Sequence, residues 1–141
     1  MTTTNIYLSF NGNCEEAFLF YKSVFGGEFN YLGYYRDMPS KEPLPAHIAA
    51  KVMHVGLPIG GETMLMGDDA SPFFGGKQVI TGTNVSIMIT PDSEAEARRI
   101  FENLSAGGTI QQSLAVQFWG DLFGSFTDKF GIQWKIAFPM K

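Results

Sequence analysis

Apolar residues fall on every second position at three places in the chain: Ile6, Leu8 and Phe10; Val85, Ile87 and Ile89; and Trp134, Ile136 and Phe138. A period of two is that of a strand with one buried face, because successive side chains point to opposite sides of a sheet. After the first two of these strands the period changes. Ala17, Phe20, Tyr21 and Val24, and later Ala97, Ile100, Phe101 and Leu104, recur at spacings of three and four, which predicts two helices that each bury one stripe. Each predicted helix opens with a capping pattern, Asn13 with Glu16 and Ser93 with Glu96, whose side chains would satisfy the orphan amides of the first turn. Each ends at a glycine pair, Gly26-Gly27 and Gly107-Gly108, where the chain needs a left-handed exit.

The pattern repeats. Sliding the sequence by 79 residues lays "NIYLSFNGNCEEA" (5–17) on "NVSIMITPDSEAE" (84–96). Three further strand-like runs follow each helix, at about 28–36, 46–58 and 62–67 and at about 109–117, 123–128 and 132–138, with turns at Gly60-Gly61 and Phe130-Gly131 between the last two of each set. The predicted fold is therefore α+β: two βαβββ modules, about 5–67 and 84–138, forming a single domain.

Composition narrows the partners. With 141 residues, 45% of them hydrophobic, the chain can build one good core or two half-cores. A net charge of -4 and a pI near 5.0 argue against a phosphate backbone as partner. "MTTTNIYLSF" lacks a basic region and a long apolar run, and no stretch approaches the roughly 20 apolar residues of a membrane span, so a soluble cytoplasmic protein is expected. Cys14 is the one cysteine, which removes intrachain disulfides and cysteine metal clusters.

The duplicated grammar resembles the vicinal oxygen chelate (VOC) superfamily, which includes glyoxalase I, extradiol dioxygenases and the fosfomycin and bleomycin resistance proteins. Within it, "YLSFNGNCEEAFLFYKSVFGGE", "GGETMLMGDD" and "FWGDLFGSFTDKFGIQWKI" are similar to the PhnB-like branch. The resemblance implies two sheets curled into a cup with helices outside, and a homodimer. Members of this branch are often labelled demethylubiquinone methyltransferase-like or linked to phosphonate genes, yet no glycine-rich nucleotide loop follows the first strand to hold a methyl donor.

Strand parity assigns the faces. If the apolar positions pack against helices, their neighbours face the cup: Asn5, Tyr7 and Ser9; Asn84, Ser86 and Met88; Gln133, Lys135 and Ala137. So polar a surface suggests water or a ligand rather than a packed core. Metal-dependent relatives place two imidazoles and two carboxylates on this face. Counting by the resemblance, those four places fall on Asn5, Asn84, Lys135 and, with the Gly61 and Gly131 turns superposed, about Leu65. An ammonium, an aliphatic side chain and two amides do not make a divalent transition-metal site, so no metal and no cofactor are expected. A phase slip of one would give Ile6, Val85, Met64 or Met66, and Trp134 instead, which is no better.

Each remaining candidate has two readings. Lys135 is either an anion anchor or a lysine whose stem packs while its ammonium reaches solvent. His54 is a general base or a hydrogen-bonded core histidine; His47, seven residues earlier on a run taken as one strand, would face the other way. Asp68 and Asp69 are paired carboxylates or turn residues. Cys14 stands at a helix start that would activate a thiol, against the opposing charges of Glu15 and Glu16. Trp119, beside Phe118 in a glycine-punctuated loop, stacks on a ligand or closes a subunit interface. The expected function is binding of a small, anionic molecule by Asn5, Tyr7, Ser9, Leu65, Asn84, Ser86, Trp119 and Lys135. The alternatives are a glyoxalase-type lyase or isomerase, or a resistance protein, moving protons on His54 or Lys135, and a scaffold whose cup is filled by its own side chains.

Overall fold

Strand β1 (Ile6–Phe10) leads into helix α1 (Cys14–Phe25), followed by β2 (Tyr31–Tyr34), a short helix α2 (Ala46–Ala49), β3 (Val52–Gly60) and β4 (Thr63–Asp69). The second half repeats the order with β5 (Ile87–Ile89), α3 (Glu94–Ser105), β6 (Thr109–Val116), β7 (Asp121–Thr127) and β8 (Gln133–Pro139). This is a computed structural model and it describes residues 2–39 and 42–140. The chain divides into two compact units, Met1–Ile80 and Thr81–Lys141, each with one four-stranded mixed sheet. The strand orders are β1-β4-β3-β2 and β5-β8-β7-β6, with β1 parallel to β4 and β5 parallel to β8. These are the two βαβββ modules that the repeat predicts.

Each sheet buries one face against its helix. In the first unit Cys14, Ala17, Phe18, Tyr21 and Val24 of α1 cover Phe10, Val55, Leu57 and Leu65. Phe18, rather than Phe20, is the core aromatic, meeting Phe10 edge-on at 6.3 Å between ring centroids. It can do so because β4 carries Gly67 beneath it: a Cβ there would lie 2.6 Å from the Phe18 ring. In the second unit Ala97, Ile100, Phe101 and Leu104 cover Ile87, Leu122, Phe126, Trp134 and Ile136.

Four local expectations are corrected. Residues 46–49 form a helical turn and not the start of a strand, Pro45 standing just before it, so His47 and His54 do not share a strand. Residues 28–36 are a strand only at Tyr31–Tyr34, since Tyr35–Asp37 turn into a single 3-10 turn. β5 begins at Ile87, leaving Val85, expected under the helix, 73% exposed. Its partner β8 begins at Gln133, so the preceding residues run past the end of the ladder, and the Gln133 side chain donates to the Val85 carbonyl instead. Finally, Ser93 caps α3 through the Glu96 amide as expected, but the Asn13 side chain makes no cap. Asp69, buried on β4, replaces it: Oδ1 accepts from the amides of Gly12 and Cys14 at 2.9 Å each, and Oδ2 from that of Val52 at 3.0 Å. Of the irregular stretch 36–46, expected to be a connection or a pocket cover, Ser40 and Lys41 lie outside the described residues.

Candidate functional site

The sheet face turned away from α1 gathers side chains from all four strands of the first unit. Tyr7 and Ser9 of β1 are exposed there, and Asp68 of β4 stands beside Ser9 in register. Tyr7 Oη donates a 3.0 Å hydrogen bond to Asp68 Oδ2 and lies 3.4 Å from His54 Nδ1 on β3. The His54 ring sits between those of Tyr7 and Tyr31, with centroids 5.7 and 5.8 Å away. Gly33, opposite His54 on β2, makes this possible, because a Cβ there would strike the Tyr31 ring. Burial, then the negative charge of Asp68 and the hydrogen bond to it, raise the Tyr7 phenol well above its ordinary pKa, so it remains a donor. Asp68 Oδ1 is enclosed and has no hydrogen-bond partner among the described residues.

The corresponding face of the second unit carries Lys135. It is exposed, flanked by the buried Trp134 and Ile136, and its Nζ lies 5.9 Å from the centre of the Phe123 ring on β7. Trp119 packs against the same ring at 6.0 Å, with Phe118 almost wholly in solvent beside it. No carboxylate among the described residues is in ion-pair range of Lys135.

Of the residues expected from sequence, the structure therefore brings together Tyr7 and Ser9 in one unit and Lys135 and Trp119 in the other. Asn5 is exposed at the head of β1, its Oδ1 already accepting from the Met64 amide at 3.0 Å. Asn84 and Ser86 are exposed but precede β5 and belong to no strand. Leu65 is the correction: it is fully buried, paired with Ile6 on the helix side of the sheet. The position matching Lys135 is Asp68, since Met88 pairs with Lys135 as Ser9, its repeat equivalent, pairs with Asp68. The slip came from superposing glycine turns of unequal length. Two residues, Gly61 and Glu62, join β3 to β4, whereas five, 128 to 132, join β7 to β8.

Asp68 and Asp69 are thus strand residues with separate tasks, not a turn. The alternation of Met64, Met66 and Asp68 on one face against Leu65, Gly67 and Asp69 on the other carries that signal in the sequence. Cys14 is fully buried, and burial followed by the charges of Asp69, Asp68 and Glu15 pushes its thiol far up, which removes it as a nucleophile. The places expected from the resemblance read Asn5 and Asp68 in the first unit and Asn84 and Lys135 in the second. No cluster of three or more His, Cys, Asp or Glu side chains suited to a metal occurs among the described residues.

Residues 2–137 match the family described as 3-demethylubiquinone-9 3-methyltransferase. The chain belongs to that family. Protein YjdN of Escherichia coli K12 is 33% identical over 138 residues, covering 92% of this chain and 90% of its own. Among solved structures, protein PA1353 from Pseudomonas aeruginosa is 35% identical with a TM-score of 0.85, each chain covered in full. The putative 3-demethylubiquinone-9 3-methyltransferase, PhnB protein, from Bacillus cereus is 25% identical with a TM-score of 0.74, covering 97% of this chain and 99% of its own. The fold extends further, to the fosfomycin resistance protein FosX from Listeria monocytogenes complexed with Mn(II) and sulfate, at 14% identity and a TM-score of 0.64, with 99% and 93% covered. This family of PhnB-like proteins therefore sits within the VOC fold. No helix among the described residues is long and apolar enough to cross a membrane.

Proposed function

We propose that this PhnB-like protein binds a small anionic molecule without a metal ion, and that Lys135 is the anchor. The observation that carries the proposal is the placing of Lys135: an ammonium on a sheet face, over an aromatic ring, with no carboxylate to neutralise it among the described residues. A compact point charge in that setting suits a carboxylate, phosphonate or phosphate. Phe123 and Trp119 add a flat apolar shelf beside it for the remainder of the ligand. A homodimer accompanies this reading, supported by the large apolar side chains exposed in the second unit, Val85, Met88 and Phe118.

Thermal shift with benzoate and with methylphosphonate tests the anchor. Either anion should raise the melting temperature of the wild type and leave Lys135→Gln unmoved. Equal stabilisation of both proteins would remove Lys135 from the site. Stoichiometric zinc, nickel, manganese or iron in the purified protein would overturn the metal-free reading, and sedimentation as a monomer at micromolar concentration would overturn the dimer.

A further inference from the structure

The first unit carries the Tyr7, His54 and Asp68 cluster, which is not part of the anion anchor described above. We propose that it is a proton-accepting site, in which Nε2 of His54 takes the proton of a weak O–H or N–H acid, with Tyr7 and Asp68 as positioning residues.

The assignment follows from counting protons. Tyr7 has one hydroxyl hydrogen, and its 3.0 Å partner, a carboxylate oxygen, can only accept, so the hydrogen points to Asp68. The 3.4 Å contact between Tyr7 Oη and His54 Nδ1 must then be donated from the ring nitrogen to the phenol oxygen, a weak bond longer than the usual range of about 2.7–3.2 Å. A neutral imidazole with its hydrogen on Nδ1 presents Nε2 as a bare acceptor. No described residue bonds that nitrogen.

The surroundings suit the step. The ring lies between Tyr7 and Tyr31 at interplanar angles of 30° and 37°, which limits the tilt of its plane. On transfer the X–H bond of the ligand breaks, its electron pair remains on X, and the proton makes His54 an imidazolium. That new charge faces the Tyr7 oxygen and, through it, the Asp68 carboxylate. Among the described residues Asp68 has no cation in ion-pair range and no partner for Oδ1, so the Tyr7 hydroxyl is the one hydrogen-bond donor its side chain meets. Nothing is oxidised or reduced, and no co-reactant is needed.

The tautomer of the His54 ring distinguishes this role from a merely structural one. Long-range nitrogen-proton NMR of uniformly labelled protein near neutral pH should show His54 as the Nδ1–H tautomer. Tyr7→Phe, which keeps the ring but removes the acceptor, should shift it toward the Nε2–H form that an unconstrained histidine side chain prefers. An Nε2–H tautomer in the wild type would overturn the site.

With 4-nitrophenol as probe, excess wild type should raise phenolate absorbance at fixed pH, His54→Gln should abolish the rise, and Asp68→Asn should reduce it with the circular dichroism spectrum unchanged. Arg98→Gln, at an exposed position of α3 outside both proposed sites, should retain the phenolate signal. A signal lost in Lys135→Gln and kept in His54→Gln would assign the effect to the lysine and overturn the histidine.

Discussion

Trp134 closes the turn that precedes it. Its indole Nε1 donates a 2.9 Å hydrogen bond to Asp128 Oδ2, while Oδ1 of the same buried carboxylate accepts from the amides of Phe130 and Ile132 at 2.8 and 3.0 Å. Trp134→Phe keeps an aromatic core residue but withdraws that donor from a buried charge. The expected loss is about 1–3 kcal/mol, read from the urea midpoint. A midpoint equal to that of the wild type would mean the indole bond does not hold the turn.

The same turn shows why the sequence placed some residues of the candidate site on the correct sheet face and misplaced others. Alternation at Ile6, Leu8 and Phe10 and at Trp134 and Ile136 is a one-strand property, and it assigned Tyr7, Ser9 and Lys135 to the polar face with no knowledge of their partners. Pairing Lys135 with its counterpart needed the register of two hairpins. Gly61 and Gly131 both have positive φ, 53° and 91°, and look alike in sequence, yet one lies in a two-residue turn and the other in a five-residue turn that Asp128 braces. The shift of three residues put Leu65 where Asp68 belongs. His54 reaches Tyr7 across 47 residues, and Tyr7 reaches Asp68 across 61, so their cluster exists only once β1, β3 and β4 have paired.

The neighbouring aspartates should respond unequally. Asp69→Ala strips three backbone amides of their acceptor, two of them buried bonds, and should cost at least about 3 kcal/mol. Asp68→Asn retains the shape and touches a group with one unpartnered oxygen, so its effect on stability should remain within about 1 kcal/mol. Paired chemical denaturation of the two variants checks this, and equal losses would contradict the division of tasks.

Alkaline pH should destabilise the fold through Cys14. Burial holds its thiol protonated in the native state, whereas in the unfolded chain it ionises at about pH 8.5. Below that value both states carry the proton and stability is whole. Above it the unfolded state binds fewer protons than the native state, so stability falls as pH rises. Cys14→Ser should flatten the alkaline limb of a stability curve, although it will lower the whole curve by burying a hydroxyl. In the native wild type the thiol should not react with Ellman's reagent until urea unfolds the chain, and rapid native labelling would refute its enclosure.

Gly67→Ala adds a methyl group 2.6 Å from the Phe18 ring and 2.8 Å from the Leu8 carbonyl. The backbone contact cannot swing aside, so a loss of about 1–3 kcal/mol is expected in a thermal melt. Phe18→Leu in the same chain should recover only part of it.

Asp69 also decides when α1 can exist. Its carboxylate, at the far end of β4, reaches the amides of Gly12 and Cys14 at the helix entrance, more than fifty residues back along the chain. An excised peptide spanning that helix would lack its anchor and stay largely coil in water. Local order in the first module is thereby a product of strand pairing, and a nascent chain emerging from the ribosome must wait for β4 before its first helix is secured.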